Sequence, residues 1–204
     1  MTTKSIERFS FAERVSHWTS ALCFLYATFT GLALWSPRLF WLSGVFGGGD
    51  TVRAWHPWAG LFFAMALGVM FRRWAGQMQL DADDQIWLAK SHLYAQNLEA
   101  GIPESGRFNA GQKMMFWLQS ASAFFLLLSG VVIWFPEVAP RTLRLIAILL
   151  HPVCAAASMG GIIVHIYMST MAVPGSMGAM VRGAVSAGWA RSHHGKWYRD
   201  MSGR

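Results

Sequence analysis

Four apolar stretches without Asp, Glu, Lys or Arg dominate the chain. They are residues 15–37 between Arg14 and Arg38, 54–71 between Arg53 and Arg72, 114–136 between Lys113 and Glu137, and 145–181 after Arg144. A membrane-spanning helix needs about 20 apolar residues. The second stretch is at the short limit. The fourth is too long, and Pro174 with Gly175 ends its helix near Ala172. The pattern predicts an all-α integral membrane protein with four transmembrane helices in a bundle, at 15–36, 54–71, 114–135 and 145–172. One domain over 1–204 would include a cytoplasmic loop, 72–113, and a cytoplasmic tail, 173–204.

Composition agrees. Hydrophobic residues make up 54% of the chain and charged ones 13%, which excludes an ordinary soluble domain. Charge adds orientation. With a cytoplasmic N-terminus, the inner side holds Lys4, Arg8, Arg14, Arg72, Arg73, Lys90, Arg107, Lys113, Arg182, Arg191, Lys196, Arg199 and Arg204. The outer side keeps Arg38, Arg53, Arg141 and Arg144. That bias puts both termini in the cytoplasm. The net charge of +7 then reads as topology and contact with anionic membrane lipid, not as nucleic-acid binding. The N-terminus is polar and its first apolar run can span, so no cleavable signal peptide is expected. Within the loop, Asp83 or Asp84 is expected to cap an amphipathic helix lying on the membrane or on a partner. No internal repeat is apparent.

Candidate chemistry resides in histidines. Imidazole in hydrocarbon is costly without a partner, and His17, His56, His151 and His165 all fall in or at the edge of the apolar stretches. His151 and His165 are fourteen residues apart, about 21 Å of helix rise and within roughly 40° of four full turns, so they share a face. Helix order puts His56 and His151 at the outer side, and His17 and His165 at the inner side. Two depth-matched pairs on a common helix suggest axial ligands of two stacked b haems. Zinc binding or a proton relay competes with that reading, but a relay wants a closely spaced chain rather than two separated pairs. Two axial histidines close the iron's coordination sphere, which leaves electron transfer as the function. There is no C-x-x-C-H, so haem would be held noncovalently, and any iron–sulfur centre must belong to a partner.

Asn109-Ala110-Gly111-Gln112-Lys113 precedes the third stretch on the inner side. Asn109 suits a helix N-cap. The same helix start, with Asn and Gln amides beside it, also makes a donor cluster for a quinone carbonyl.

These residues resemble the cytochrome b (gamma) subunit of membrane-bound respiratory formate dehydrogenase nearly end to end. The resemblance includes E-R-x-S-H-W around His17, H-P-W at His56, N-A-G-Q-K-M-M-F-W from Asn109, H-x13-H-I-Y-M from His151, and H-H-G-K-W-Y-R in the tail. It implies a bacterial inner-membrane, multi-pass subunit with two haem b, ligated by His17 with His165 (inner) and His56 with His151 (outer). It implies a quinone site, for menaquinone or ubiquinone, bordered by Asn109, Gly111, Gln112 and His165. The implied partners are an iron–sulfur subunit with its own membrane helix and a catalytic molybdenum- or tungsten-containing subunit. A higher oligomer of that heterotrimer is compatible with it. The chain would then reduce quinone at the cytoplasmic face without itself oxidising formate. The equivalent subunit of a hydrogenase or thiosulfate reductase is the alternative. A non-redox anchor or small transporter with metal- or proton-binding histidines is the alternative from another class. Pro152, directly after His151, predicts an irregular start to the fourth helix.

Overall fold

The computed structural model describes residues 5–96, 98 and 101–203; Lys4 and Arg204, both counted on the inner side, lie outside the described residues. Among the described residues, four helices are long and apolar enough to cross a membrane. They are α1 (Phe11–Trp35), α2 (Gly49–Trp74), α3 (Ala110–Trp134) and α4 (Arg141–Tyr167). At 25 to 27 residues each they are about 38–40 Å long, more than the roughly 30 Å of hydrocarbon. They therefore overrun the charge-free stretches and carry polar residues at their ends.

Two of these helix starts, and that of a short loop helix, have a common cause. Ser10 and Glu13 form a reciprocal box at the start of α1, with Ser10 N donating to Glu13 Oε2 (2.8 Å) and Glu13 N to Ser10 Oγ (3.3 Å). Asn109 and Gln112 do the same for α3, and Asp81 with Asp84 for the short helix Ala82–Ala89. Each box satisfies two backbone amides that the helix leaves without partners. Asp81 is thus the cap in the loop, and Asp83 and Asp84 fall inside the first turn. Part of its apolar face is covered within the chain: Trp87, with Tyr94 from the following short helix, is buried in a cluster with Ala110, Ala172 and Val173, while Ile86 stays exposed.

Prolines end α1 and α3, where Pro37 and Pro136 open short 3-10 turns. Pro57 and Pro152 behave differently, because both lie inside their helices. The expected irregularity at the start of α4 is absent. The helix begins at Arg141 and stays helical through Pro152, since in hydrocarbon unwinding would expose several unpaired amides to save one. After Tyr167 it relaxes into a π turn, Met168–Ala172, and Gly175 at φ 89° closes it.

The chain divides into two compact units. One comprises 1–14, 72–117 and 161–204. Here a small antiparallel ribbon, β1 (Ser5–Glu7) with β2 (Ala184–Ser186), interrupts the otherwise helical fold, with Ile6 opposite Val185. Arg8 is buried, its guanidinium 4.9 Å from the Trp189 ring centre and donating to Arg107 O at 2.9 Å. Arg107 in turn donates to Glu13 (2.9 Å), which also accepts from Trp74 Nε1 (2.7 Å). Asp84 and Lys113 form an ion pair of 2.5 Å, both nearly fully buried. The tail ties itself to the loop through Lys196 with Asp83, Arg199 with Glu104, and His194 Nδ1 donating to Gly106 O (2.7 Å). Bonding to Asp83 raises the Lys196 pKa, and bonding to Arg199 lowers that of Glu104.

The other unit comprises 15–71 and 118–160, where the four helices pack on each other. Phe24 meets Phe63 (5.4 Å between ring centres), and Trp58 meets Trp134 edge-on (5.4 Å). Gln119 and Ser158 are buried and bond reciprocally, side chain to side chain and side chain to backbone. Many large apolar side chains, among them Leu149 and Val153, stay exposed. That is unfavourable in water and neutral in lipid.

His194 generates a prediction. It is 1% exposed, and burial, followed by the nearby Arg8 charge, holds its pKa well below 6.5. The unfolded chain takes up that proton near pH 6.5 while the folded chain resists it. Stability should therefore be full above pH 6.5 and fall as the pH drops through that value toward the lower folded pKa. Thermal melts of the full chain in detergent at pH 7.5 and 5.5 should show this loss. In His194→Gln the pH-dependent part should shrink.

Candidate functional site

His56 and His151 meet in the second unit. His56 is the eighth residue of α2, and His151 the eleventh of α4, each half-buried and each followed by proline. Their ring centres are 6.3 Å apart, with the planes inclined at 68°. Two imidazoles on opposite faces of one metal ion, with bonds of about 2 Å and ring nitrogens about 1.1 Å from the ring centres, require roughly 6 Å. The donor set also fits haem better than zinc, which takes three or four protein ligands. Among the described residues no group of three or more His, Cys, Asp and Glu could hold a metal ion.

Two residues that the sequence reading passed over hold each ring. Thr30 Oγ1, on α1, is 2.9 Å from His56 Nδ1, and Ser129 Oγ, on α3, is 2.9 Å from His151 Nδ1. Beside each hydroxyl is a glycine. A Cβ on Gly31 would come within 3.0 Å of His56 Cε1, and one on Gly130 within 3.4 Å of His151 Cε1. Both glycines keep the helix surface open for a ring. The arrangement occurs twice: Thr-Gly on α1 serves His-Pro on α2, and Ser-Gly on α3 serves His-Pro on α4. The signal was present in the sequence, since these are the chain's only two His-Pro dipeptides, each preceded on the helix before it by a hydroxyl residue and glycine.

His17 and His165 fall in different units. His17, the seventh residue of α1, belongs to the second unit, with its ring edge-on to Trp18 at 5.4 Å. His165 belongs to the first unit, near the end of α4 and just before the π turn. Their pairing rests on helix order alone.

The Asn109 segment lies in the first unit. The Asn109 side-chain oxygen accepts from Gln112 N (2.9 Å), and the Gln112 side-chain oxygen accepts from Asn109 N (3.0 Å). The box commits both oxygens to the backbone, so the NH2 groups are the donors these side chains can offer a ligand. Gly111 lets the Trp87 ring approach: a Cβ there would be 3.2 Å from its Cη2. Ala110 is fully buried in the Trp87 cluster, against which Met168 packs, three residues after His165.

Comparison with known proteins gives this arrangement a family. Residues 8–183 match the family model of prokaryotic cytochrome b561. The chain is similar to the nitrate-inducible formate dehydrogenase cytochrome b556(Fdn) subunit of Escherichia coli K12, with 35% identity over 202 residues, 98% of this chain and 93% of that one. It is similar to the formate dehydrogenase cytochrome b556(fdo) subunit of the same organism, 36% over 201 residues, covering 97% and 93%. A formate dehydrogenase cytochrome b556 subunit of Haemophilus influenzae is 33% identical over 190 residues, covering 92% and 79%. The chain belongs to the prokaryotic cytochrome b561 family, helical membrane proteins that bind haem b.

The capping box separates two roles of Asn109 by substitution. Asn109→Ala should lower the thermal stability of the full chain by about 1 kcal/mol through loss of the cap, whereas Asn109→Asp, which caps equally well, should leave it unchanged. Denaturation in detergent measures both. Equal stability of all three proteins would remove the capping role.

Proposed function

We propose that this cytochrome b561 family member is the dihaem membrane subunit of a formate dehydrogenase, carrying electrons from an iron–sulfur partner subunit to quinone. The observation that carries the reading is the His56–His151 pair, at a spacing suited to one iron, in a chain alignable over nearly its full length with formate dehydrogenase cytochromes. We assign His56 and His151 to an outer haem b and His17 and His165 to an inner one. Bound there, bis-histidine haem supplies one-electron transfer and no open coordination site. The catalytic partner would be a molybdenum- or tungsten-containing subunit on the outer side of the inner membrane.

The quinone would sit at the start of α3, bordered by Asn109, Gly111, Gln112 and His165. Asn109 and Gln112 keep NH2 donors for its carbonyl while their oxygens cap the helix. One turn onward is Lys113, in a cavity of about 230 Å³ lined also by Asp83, Asp84 and Lys196. These groups can hold water and relay protons toward a reduced quinone. The excess of Lys and Arg in the loop and tail supports a cytoplasmic location for this end.

Asn109→Asp and Gln112→Ala should slow formate-driven quinone reduction in the purified complex, while both haems still reduce from the partner side. Loss of one such hydrogen bond is worth about 0.5–1.5 kcal/mol, and in Asn109→Asp the carboxylate adds repulsion toward a quinone that gains negative charge on reduction. Unchanged quinone reductase activity in both variants, with intact haem, would return the residues to capping alone. A complex that exchanges electrons with hydrogen (as donor) or thiosulfate (as acceptor) in place of formate would reassign the partner.

Direction has its own test. Electrons moving from an outer donor to inner quinone travel toward the negative side, at roughly 2.3 kcal/mol per electron per 100 mV. In proteoliposomes with the cytoplasmic face inward, formate and quinone should build a potential negative inside, read by a voltage-sensitive dye. Electroneutral turnover would exclude this direction.

A further inference from the structure

The hydroxyls beside His56 and His151 determine where the ring protons are. Each hydroxyl has one hydrogen. Thr30 Oγ1 is 2.6 Å from Tyr26 O, and Ser129 Oγ is 2.6 Å from Phe125 O. A carbonyl oxygen cannot donate, so at that distance the hydroxyl hydrogen must lie between the two oxygens. Toward the imidazole, 2.9 Å away in both cases, each hydroxyl can then only accept. The hydrogen of that second bond belongs to Nδ1, and the ring lone pair is left on Nε2. Thr30 is fully buried and Ser129 nearly so, which keeps water from competing. The same arrangement occurs on two separate helix pairs.

We propose that Thr30 and Ser129 are positioning residues that lock His56 and His151 in the tautomer that ligates through Nε2 and thereby help set the reduction potential of the iron they share. The proposal rests on the reading of His56 and His151 as haem ligands. An acceptor for Nδ1–H makes the imidazole a stronger donor to the metal and favours the oxidised iron. The acceptors here are neutral: a hydroxyl already engaged to backbone and, beside it, the backbone carbonyl of Ala27 for His56 or of Leu126 for His151, so they orient the ring without placing a charge beside it.

The test uses the complete complex with four substitutions, Thr30→Val, Ser129→Ala, Thr30→Ser and Ser129→Thr, and two controls, His56→Ala and His151→Ala. The readouts are haem per protein, the low-spin electron paramagnetic resonance signal, and the midpoint potential by redox titration without formate. Thr30→Val and Ser129→Ala should each raise the midpoint potential of one haem, shift its resonance signal, and weaken its retention about tenfold. Thr30→Ser and Ser129→Thr should restore all three. Wild-type potential, signal and retention in both hydroxyl-free variants would overturn the proposal. So would equal loss in the hydroxyl-retaining variants, which would indicate a packing role. The controls keep the two ideas apart. Full haem in His56→Ala or His151→Ala would defeat the ligand reading itself, whereas haem loss there with silent hydroxyl variants would defeat only the positioning role.

Discussion

An imidazole placed in hydrocarbon must have both ring nitrogens satisfied, and much of this molecule follows from that requirement. One nitrogen of His56 and of His151 is met by a hydroxyl from a neighbouring helix. That bond draws α1 against α2 and α3 against α4, and the glycines beside Thr30 and Ser129 permit the approach. The remaining nitrogens leave the rings with capacity for metal, and haem b is the ligand of the family. Packing elsewhere in the same unit is less directional. It comes from aromatic contacts such as Phe24 with Phe63, and from one buried polar exchange between Gln119 and Ser158.

The other unit solves a different problem, that of ending helices in a polar setting. Capping boxes begin α1, the short loop helix and α3, and the tail is fastened to the loop by charge pairs and by His194. Asn109 and Gln112 belong to this system by their oxygens, and in the proposed quinone site they would serve by their nitrogens. Structural and functional use of one side chain need not compete when the amide's two ends face different tasks.

The spans were legible because the apolar stretches are long and charge-free, and the histidines stood out as polar exceptions within them. The ends were less legible. A charge marks where hydrocarbon stops, but a helix continues until its backbone finds a cap, so α1 begins at Phe11 and α4 at Arg141. Asp81 was missed as a cap because three aspartates lie within four residues and only geometry selects among them. The two-stranded ribbon, three residues a side, is too short to leave a period-2 signal. Thr30 and Ser129 were missed for another reason: a hydroxyl in an apolar helix usually bonds its own backbone, and these do that as well.

The repeated Thr-Gly/His-Pro and Ser-Gly/His-Pro arrangement implies that the hairpin, not the domain, is the elementary module of this site. Each helical hairpin carries a ring, the hydroxyl that fixes its proton, and the glycine that admits it. Neither hairpin alone encloses anything. Apposed with approximate twofold symmetry, two identical copies would supply the same set of groups that α1–α2 and α3–α4 supply here within one chain. The covalent link between the hairpins therefore adds no group to the pair of rings; its contribution is stoichiometry, guaranteeing one partner for each half.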